Sequence, residues 1–307
     1  MSAPVLSVVV NFHDMAREAP RTLHTLSAGY QQGVDAAEYE VIAVDNGSRQ
    51  PLDAALVRAC GPNFRLLALP PGQVSPAAAI NAAVRESAGS VVAVCIDGAR
   101  MLSPGIVRLM LAAFRAFPDP VVATLGWHLG PKTQNQSMVD GYGRAVEDRL
   151  LESVDWRRDG YQLFTVSSFA ASSAPGWFLP IAESNAIALR RTAYDRLGGF
   201  DERFRLEGGG LVCLDFYKRA CETIGNLVLL LGEGTFHQFH GGVATNVPMA
   251  QHPGARFSDE YLQLRGQPFT APTTAAHFLG TVPPQCLPFL AASVQQAAAL
   301  PSKEPPG

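Results

Sequence analysis

Continuous apolar runs recur along the first part of the chain, each separated from the next by a stretch with helical patterning. LSVVVNF (6–12), YEVIAVD (39–45), FRLLALP (64–70), SVVAVCID (90–97) and PVVATLGW (120–127) do not alternate with polar residues, which is the pattern of strands buried on both faces. Helical patterns fill the intervals at about 15–28, 51–60, 75–87 and 104–117. Ser75-Pro76 and Ser103-Pro104 each set a capping hydroxyl before a proline suited to the first helical position. This order predicts an α/β fold with a mostly parallel central sheet and helices on both faces. Ligands of such sheets sit beyond the carboxyl ends of the strands, so Asn11 to Asp14, Asp45 to Ser48 and Asp97 to Arg100 are expected to converge on one crevice.

From about residue 128 the pattern loosens. A polar loop, PKTQNQ (131–136), precedes a charged helix near 140–159 and a Ser/Ala-rich stretch, VSSFAASSAPGWF (166–178). SNAIALRR (184–191), a helix near 211–223 and NLVLLLGEG (226–234) restore strand and helix signals. Residues 1–127 are expected to form one half of a domain, and 128–250 the other half, packed against the same sheet and supplying the other wall of the crevice. Pro-rich text after residue 250 predicts a C-terminal extension, 251–307, an arm that covers the crevice or mediates self-association into a homo-oligomer. Its end, PSKEPPG, is expected to be disordered.

Composition narrows the classes of function. A 307-residue chain with 47% hydrophobic and 17% charged residues reads as an ordinary globular protein. With 24 basic and 27 acidic residues, net charge -3, nothing draws it generically to nucleic acid or an anionic membrane. Any anionic ligand must be gripped locally. No apolar stretch approaches the roughly 20 residues of a transmembrane span and no signal peptide opens the chain, so a cytoplasmic location is expected. Five scattered cysteines without a CxxC pair predict reduced thiols rather than a disulfide or zinc framework.

Four segments together, LSVVVNFHD, YEVIAVDNGS, IDGARMLSPG and ALRRTAYDRLGGFDERF, resemble the family 2 glycosyltransferases with the GT-A fold over roughly residues 5–245. The resemblance implies transfer of a sugar from a nucleotide-diphosphate donor to a saccharide or small-molecule acceptor, with inversion at the anomeric carbon. Such a reaction needs a base for the acceptor, charge to stabilise the departing diphosphate, and positioning of an oxocarbenium-like centre.

By that resemblance Asn11, Phe12 and Asp45 would bind the nucleoside, with His13 beside them. Read alone, Asp45 before Asn46-Gly47 is as much a turn former, and His13 a solvated loop residue. Asp97, followed by Gly98, matches the first acid of the family's DxD motif; Ala99 stands where the second acid would be. In an extended segment Arg100 faces away from both positions. Two unit charges about 4 Å apart interact by roughly 4 kcal/mol at an effective dielectric of 20, so a divalent ion offers about twice what one arginine can. A donor-dependent Mg²⁺ or Mn²⁺ site on Asp97 and a histidine is therefore expected, with a metal-free mechanism using Arg100 as its rival. Along a strand His237 and His240 face opposite sides, so at most one is expected in the site; His240, at the entry to the Gly241-Gly242 loop, is the one that the resemblance implies faces the metal.

The resemblance also implies an acidic ED pair after GGFDE, but alignment on Arg219 puts Val212 and Cys213 at those positions. Glu207, before three glycines, and Asp215, in the following helix, are the substitute bases; Asp215 also suits a helix's first turn, and the glycines a hinge. Trp177 is expected to stack on the acceptor, with ordinary core the better reading of Phe178. Arg190 and Arg191 would touch the diphosphate or cap a solvated face. The missing acids motivate a second class of function, a catalytically degenerate protein that binds nucleotide sugar or glycan. A nucleotidyltransferase is a third, disfavoured by GGFDE and the late histidine.

Overall fold

The computed structural model describes residues 3–72 and 74–299; the PSKEPPG tail lies outside them. Among the described residues ten strands form one sheet: β1 (Leu6–Phe12), β2 (Tyr39–Asn46), β3 (Phe64–Leu69), β4 (Val91–Cys95), β5 (Arg100–Leu102), β6 (Val121–Leu129), β7 (Ser167–Phe169), β8 (Ile187–Arg190), β9 (Leu227–His237) and β10 (Ala276–Gly280). The order is β10-β9-β6-β8-β4-β1-β2-β3, and β5 and β7 pair with the far ends of β9 and β6. β3, β2, β1 and β4 run parallel, as do β6, β9 and β10, and β8 runs antiparallel between the two groups.

The apolar runs form strands because both sides of each can be buried. Val8, Val10, Val41, Ala43, Val91 and Ala93 face one core layer, and Val9, Ile42, Val44, Val92 and Val94 face the other, the period of two that a pleated strand imposes. Helices Ala19–Leu26, Ala54–Ala59 and Ile106–Ala116 cover the first layer. Helices Ala77–Glu86, Arg191–Arg196 and Val212–Ile224 cover the second. Each large apolar side chain so buried contributes roughly 1.5–3 kcal/mol.

The two Ser-Pro starts differ from expectation. Ser75 Oγ accepts a long, 3.5 Å bond from Ala77 N. Ser103 does not cap with its hydroxyl: it donates to Glu233 of β9, and Glu233 accepts from Gly105 N at 3.1 Å and Tyr161 Oη at 2.8 Å. A carboxylate from another strand thus caps helix Ile106–Ala116, a favourable charge at a helix N-terminus. Burial outweighs these donors and pushes the Glu233 carboxyl above its usual range.

Part of the chain after residue 250 joins the sheet. β10 extends it, pairing Ala276 to Gly280 with Leu227 to Leu231. Helix Leu287–Ala298 lays Phe289 against Trp127, Phe164 and Phe169, and its Ser293 Oγ accepts from Trp177 N at 3.3 Å. No helix among the described residues is long and apolar enough to cross a membrane.

Candidate active site

The loops after β1, β2 and β4 meet beyond one edge of the sheet. Gly98 N donates to Asn11 O at 2.7 Å, and Asp14 N donates to Ser48 Oγ at 2.9 Å. Gly98 is required there, because a Cβ would strike the Phe12 ring and the Asn11 carbonyl. Asp14 and Arg49 pair at 2.8 Å and line, with Ala16, Gln50 and Arg144, a cleft of about 520 Å³ at the mouth of these loops.

Residues 97 to 99 form a turn rather than an extended segment, with Asp97 Oδ1 accepting from Ala99 N at 3.0 Å. Two consequences overturn the alternation expected above. The Ala99 side chain enters the core, so no acid could work from that position, and Arg100 returns toward Asp97, its Nε 3.6 Å from Oδ2. The Arg100 guanidinium is buried, and its Nε and Nη1 have no hydrogen-bond partner.

Both histidines reach Asp97. His237 Nε2 lies 3.0 Å from Oδ2 and His240 Nε2 3.9 Å from Oδ1; ligand atoms of the three residues all fall within 4.8 Å of one another. Strand geometry fails to separate the histidines because β9 ends at His237 and the chain curls back. Asn246 Oδ1 accepts from the backbone N–H groups of His240, Gly241 and Gly242 at 2.9–3.1 Å, and Glu147, held by Arg17, accepts from Phe239 N.

The same bonds orient the His237 ring. Three N–H donors fix Asn246 Oδ1 as acceptor, so Asn246 Nδ2 donates to Gln134 Oε1 at 2.7 Å. Gln134 Nε2 donates to His237 O at 2.9 Å, and Gln134 Oε1 faces His237 Nδ1 at 2.7 Å. Nδ1 therefore carries the proton, and Nε2 turns toward the carboxylate, the outer-shell orientation found behind metal-binding histidines. Burial pushes His237 down to about 4 against the pull of Asp97. Burial would raise Asp97, but the basic side chains around it, His240 and Arg100 among them, hold it ionised far below the usual carboxylate range. A neutral Nε2 lone pair facing a carboxylate at 3.0 Å is repulsive unless a cation or a shared proton stands between them. Asp97, His237 and His240 form a group able to hold a metal ion, and its two nitrogens and one oxygen suit a first-row transition metal better than Mg²⁺.

Other expected residues are placed differently. Asp45 is buried, and its two oxygens accept from Ser48 N and Leu52 N at 2.9 and 2.7 Å, so it builds the turn after β2. Asn11 Nδ2 makes a 3.5 Å bond to Ile96 O and leaves Oδ1 unpaired, while Phe12 is wholly buried. His13 Nδ1 lies 2.8 Å from Asn46 O. Trp177, expected to stack on the acceptor, is 1% exposed and packs on Trp127 and Phe169. It has no face to offer; its neighbour Phe178 is the exposed one, against Phe278. Arg190 and Arg191 lie at the opposite edge, beside the first residue of β4, and bind Phe114 O, Val84 O and Gly89 O; they cannot reach a diphosphate at Asp97.

The expected bases lie outside the cluster. Asp215 is 1% exposed and bound by Arg265 at 2.6 and 2.8 Å and Arg219 at 2.7 Å, which leaves it no freedom to take a substrate proton. Glu207 is exposed, 3.9 Å from Arg256. His128 and Gln134 escaped the sequence reading. The His128 ring lies tilted with its centroid 5.2 Å from that of His237, and its Nδ1 accepts from Gln134 N at 2.9 Å. A polar PKTQNQ loop carried no signal that it would pack behind a histidine 103 residues away.

A model of the glycosyl transferase family 2 matches residues 7–172. That is more than half of the chain, and the chain belongs to this family. Among solved structures it is similar to TarS of S. aureus, with TM-score 0.52 and 14% identity over 76% of this chain and 36% of that one. The TarS 1–349 structure gives the same score and identity, with 60% of its chain covered. The chain thus spans about a third of TarS, and the likeness is one of fold, the GT-A type. Mannosyltransferase PcManGT from Pyrobaculum calidifontis, in complex with GDP-Man and Mn²⁺, matches at TM-score 0.46 and 18% identity over 97% of this chain and 74% of that one. A search of curated proteins gives no match.

Proposed function

We propose that the chain transfers a sugar from a nucleotide-diphosphate donor to a saccharide or small-molecule acceptor, with inversion at the anomeric carbon. The observation that carries this reading is the Asp97, His237 and His240 cluster, set beyond the carboxyl ends of β1, β2 and β4 in a family 2 chain. The diphosphate would lie at this cluster, with Arg100 beside it and the nucleoside toward Asn11 and the cleft at Asp14. Asp97, His237 and His240 would hold a divalent ion, which supplies positive charge to the leaving diphosphate. Arg100 has unpaired N–H groups for negative charge that develops there.

Incubation with a panel of UDP-, GDP- and ADP-sugars, each with Mn²⁺, Mg²⁺ or EDTA, tests the reading by nucleotide release. Release with at least one donor, enhanced by Mn²⁺ and suppressed by EDTA, is expected. Donor binding without hydrolysis or transfer across a broad acceptor panel would instead make the chain a nucleotide-sugar-binding protein.

A further inference from the structure

We propose that residues 205–210 are a strap that closes the crevice over its donor, latched by Glu260 from the chain beyond residue 250; closure over a donor rests on the glycosyl-transfer reading above. Its place follows from two neighbouring glycines. A Cβ on Gly209 would lie 2.8 Å from Pro76 Cδ, and a Cβ on Gly208 would lie 3.2 Å from Val243 Cγ2, so the strap runs in contact with both residues. Pro76 belongs to the wall beside β2: Asn46 Nδ2, at the end of that strand, donates to the carbonyl of Ser75 at 3.4 Å. Val243 belongs to the other wall, just past His240 on the loop whose backbone Asn246 holds. In the sheet β4, which leads into Asp97, lies between β2 and β9. The strap therefore joins the two walls between which Asp97 stands.

The latch is a carboxylate set against backbone. Glu260 Oε1 accepts from Arg205 N at 2.8 Å and from Leu206 N at 3.1 Å, so one oxygen holds the first two residues of the strap. Glu260 Oε2 is buried without a hydrogen-bond partner beside Gly210, where a Cβ would come within 2.8 Å of it. A second, exposed tie sets Arg256 Nη1 3.9 Å from Glu207 Oε2. Helix Gly254–Arg265, which carries both groups, is itself fixed. Its Phe257 and Tyr261 are buried, the Tyr261 ring lies against Phe204 and Phe269, and Arg265 binds Asp201 and Asp215.

The strap is built to turn. Gly208, Gly209 and Gly210 have φ of 67°, 83° and 54°, a region that glycine alone enters without strain, so three successive joints can rotate freely. Toward the crevice walls its contacts at Pro76 and Val243 are apolar and small, whereas toward helix Gly254–Arg265 they are directional hydrogen bonds. Its position therefore depends on Glu260. A donor that enters between the walls has to pass the strap, and a donor in place gives the strap a further surface to lie on. Closure then keeps water from the anomeric carbon, so that the acceptor and not water takes the sugar.

Amide hydrogen exchange of the full chain tests the latch without any ligand. Glu260→Ala should speed exchange at Arg205 and Leu206 about tenfold or more, since two hydrogen bonds to a charged oxygen are lost, while Glu260→Gln, which keeps an acceptor oxygen, stays within about threefold of wild type. Unchanged exchange there in Glu260→Ala, or exchange that rises equally in β1 and β2, overturns the latch. UDP, GDP and ADP, each with Mn²⁺, test closure. The nucleotide that binds should slow exchange across 205–210 of the wild type about threefold or more, and should bind Glu260→Ala about tenfold more weakly. Binding that leaves exchange across 205–210 unchanged overturns the strap alone. No binding by any of the three overturns the glycosyl-transfer reading and closure over a donor with it, and the latch then stands or falls on the Glu260→Ala exchange.

Discussion

Two clusters of carboxylates and cations sit in this molecule, and they end in opposite states. Around Asp215 every strong group is matched: Arg265 binds Asp215 and Asp201, and Arg219 binds Asp215 and the carbonyls of Leu197 and Gly199 at 2.8 Å. Around Asp97 the matching is incomplete. Arg100 Nε and Nη1 lack hydrogen-bond partners, and His237 Nε2 faces a carboxylate at 3.0 Å. A buried polar group without a partner costs free energy, so an unmatched cluster signals a missing ligand and a matched one signals structure. Residue type alone does not make this distinction, since both clusters contain an aspartate and an arginine.

The contrast can be broken at several points. Asp97→Asn should lower nucleotide release by about 10²–10³-fold or more while the fold persists, the loss typical when a charge-stabilising group is removed. Initial rates with Mn²⁺, beside a melting curve, measure it; activity above a tenth of wild type would make Asp97 a bystander. Asp215→Ala should act the other way, removing about 3–5 kcal/mol of stability by stranding two arginines, one of them Arg265 with its guanidinium only partly exposed. Urea unfolding reads this, and a loss under about 1 kcal/mol would mean the arginines find other partners.

Metal-free protein should lose stability as pH falls from about 6.5 toward 4. His237 has a folded-state value of about 4 against an ordinary 6.5, so the unfolded chain takes up its proton first and gains on the folded one across that window. His128, also pushed down by burial, acts in the same sense. Stability is fully present above pH 6.5, and His237→Gln should flatten the slope; an unchanged slope in urea titrations would place the effect elsewhere. The smallest effect is expected for Arg203→Ala, an exposed partner of Asp201 at the rim of the matched cluster. Its melting temperature should stay within error of wild type, because solvent screens the pair and Arg265 still holds Asp201.

The legible part of the fold was the part that depends on local pattern. Each of the first five apolar runs became a strand within two or three residues, since a run buried on both sides leaves little choice of conformation. The helix expected near 15–28 shrank to Ala19–Leu26, with Pro20 in its first turn. The Pro-rich text after residue 250 looked like an arm because β10 is short and polar-flanked; it becomes a strand only because β9 offers an unpaired edge.

At the site, Asp97 could be located from its place at the end of an apolar run before a helix. Two matters were decided by tertiary structure. The 97–99 turn sends Ala99 into the core and Arg100 back to Asp97, which no alternation rule foresees. The Asn246 and Gln134 hydrogen bonds bring His237 and His240 to one point, through partners about a hundred residues apart or across a curled loop. By itself the sequence determined the alternation of strand and helix, the crevice edge and the lone acid at its mouth, because these follow from burial and chain geometry over a few residues. Which charges are matched and which remain open depends on side chains meeting across long sequence separations, and only the packed structure decides that.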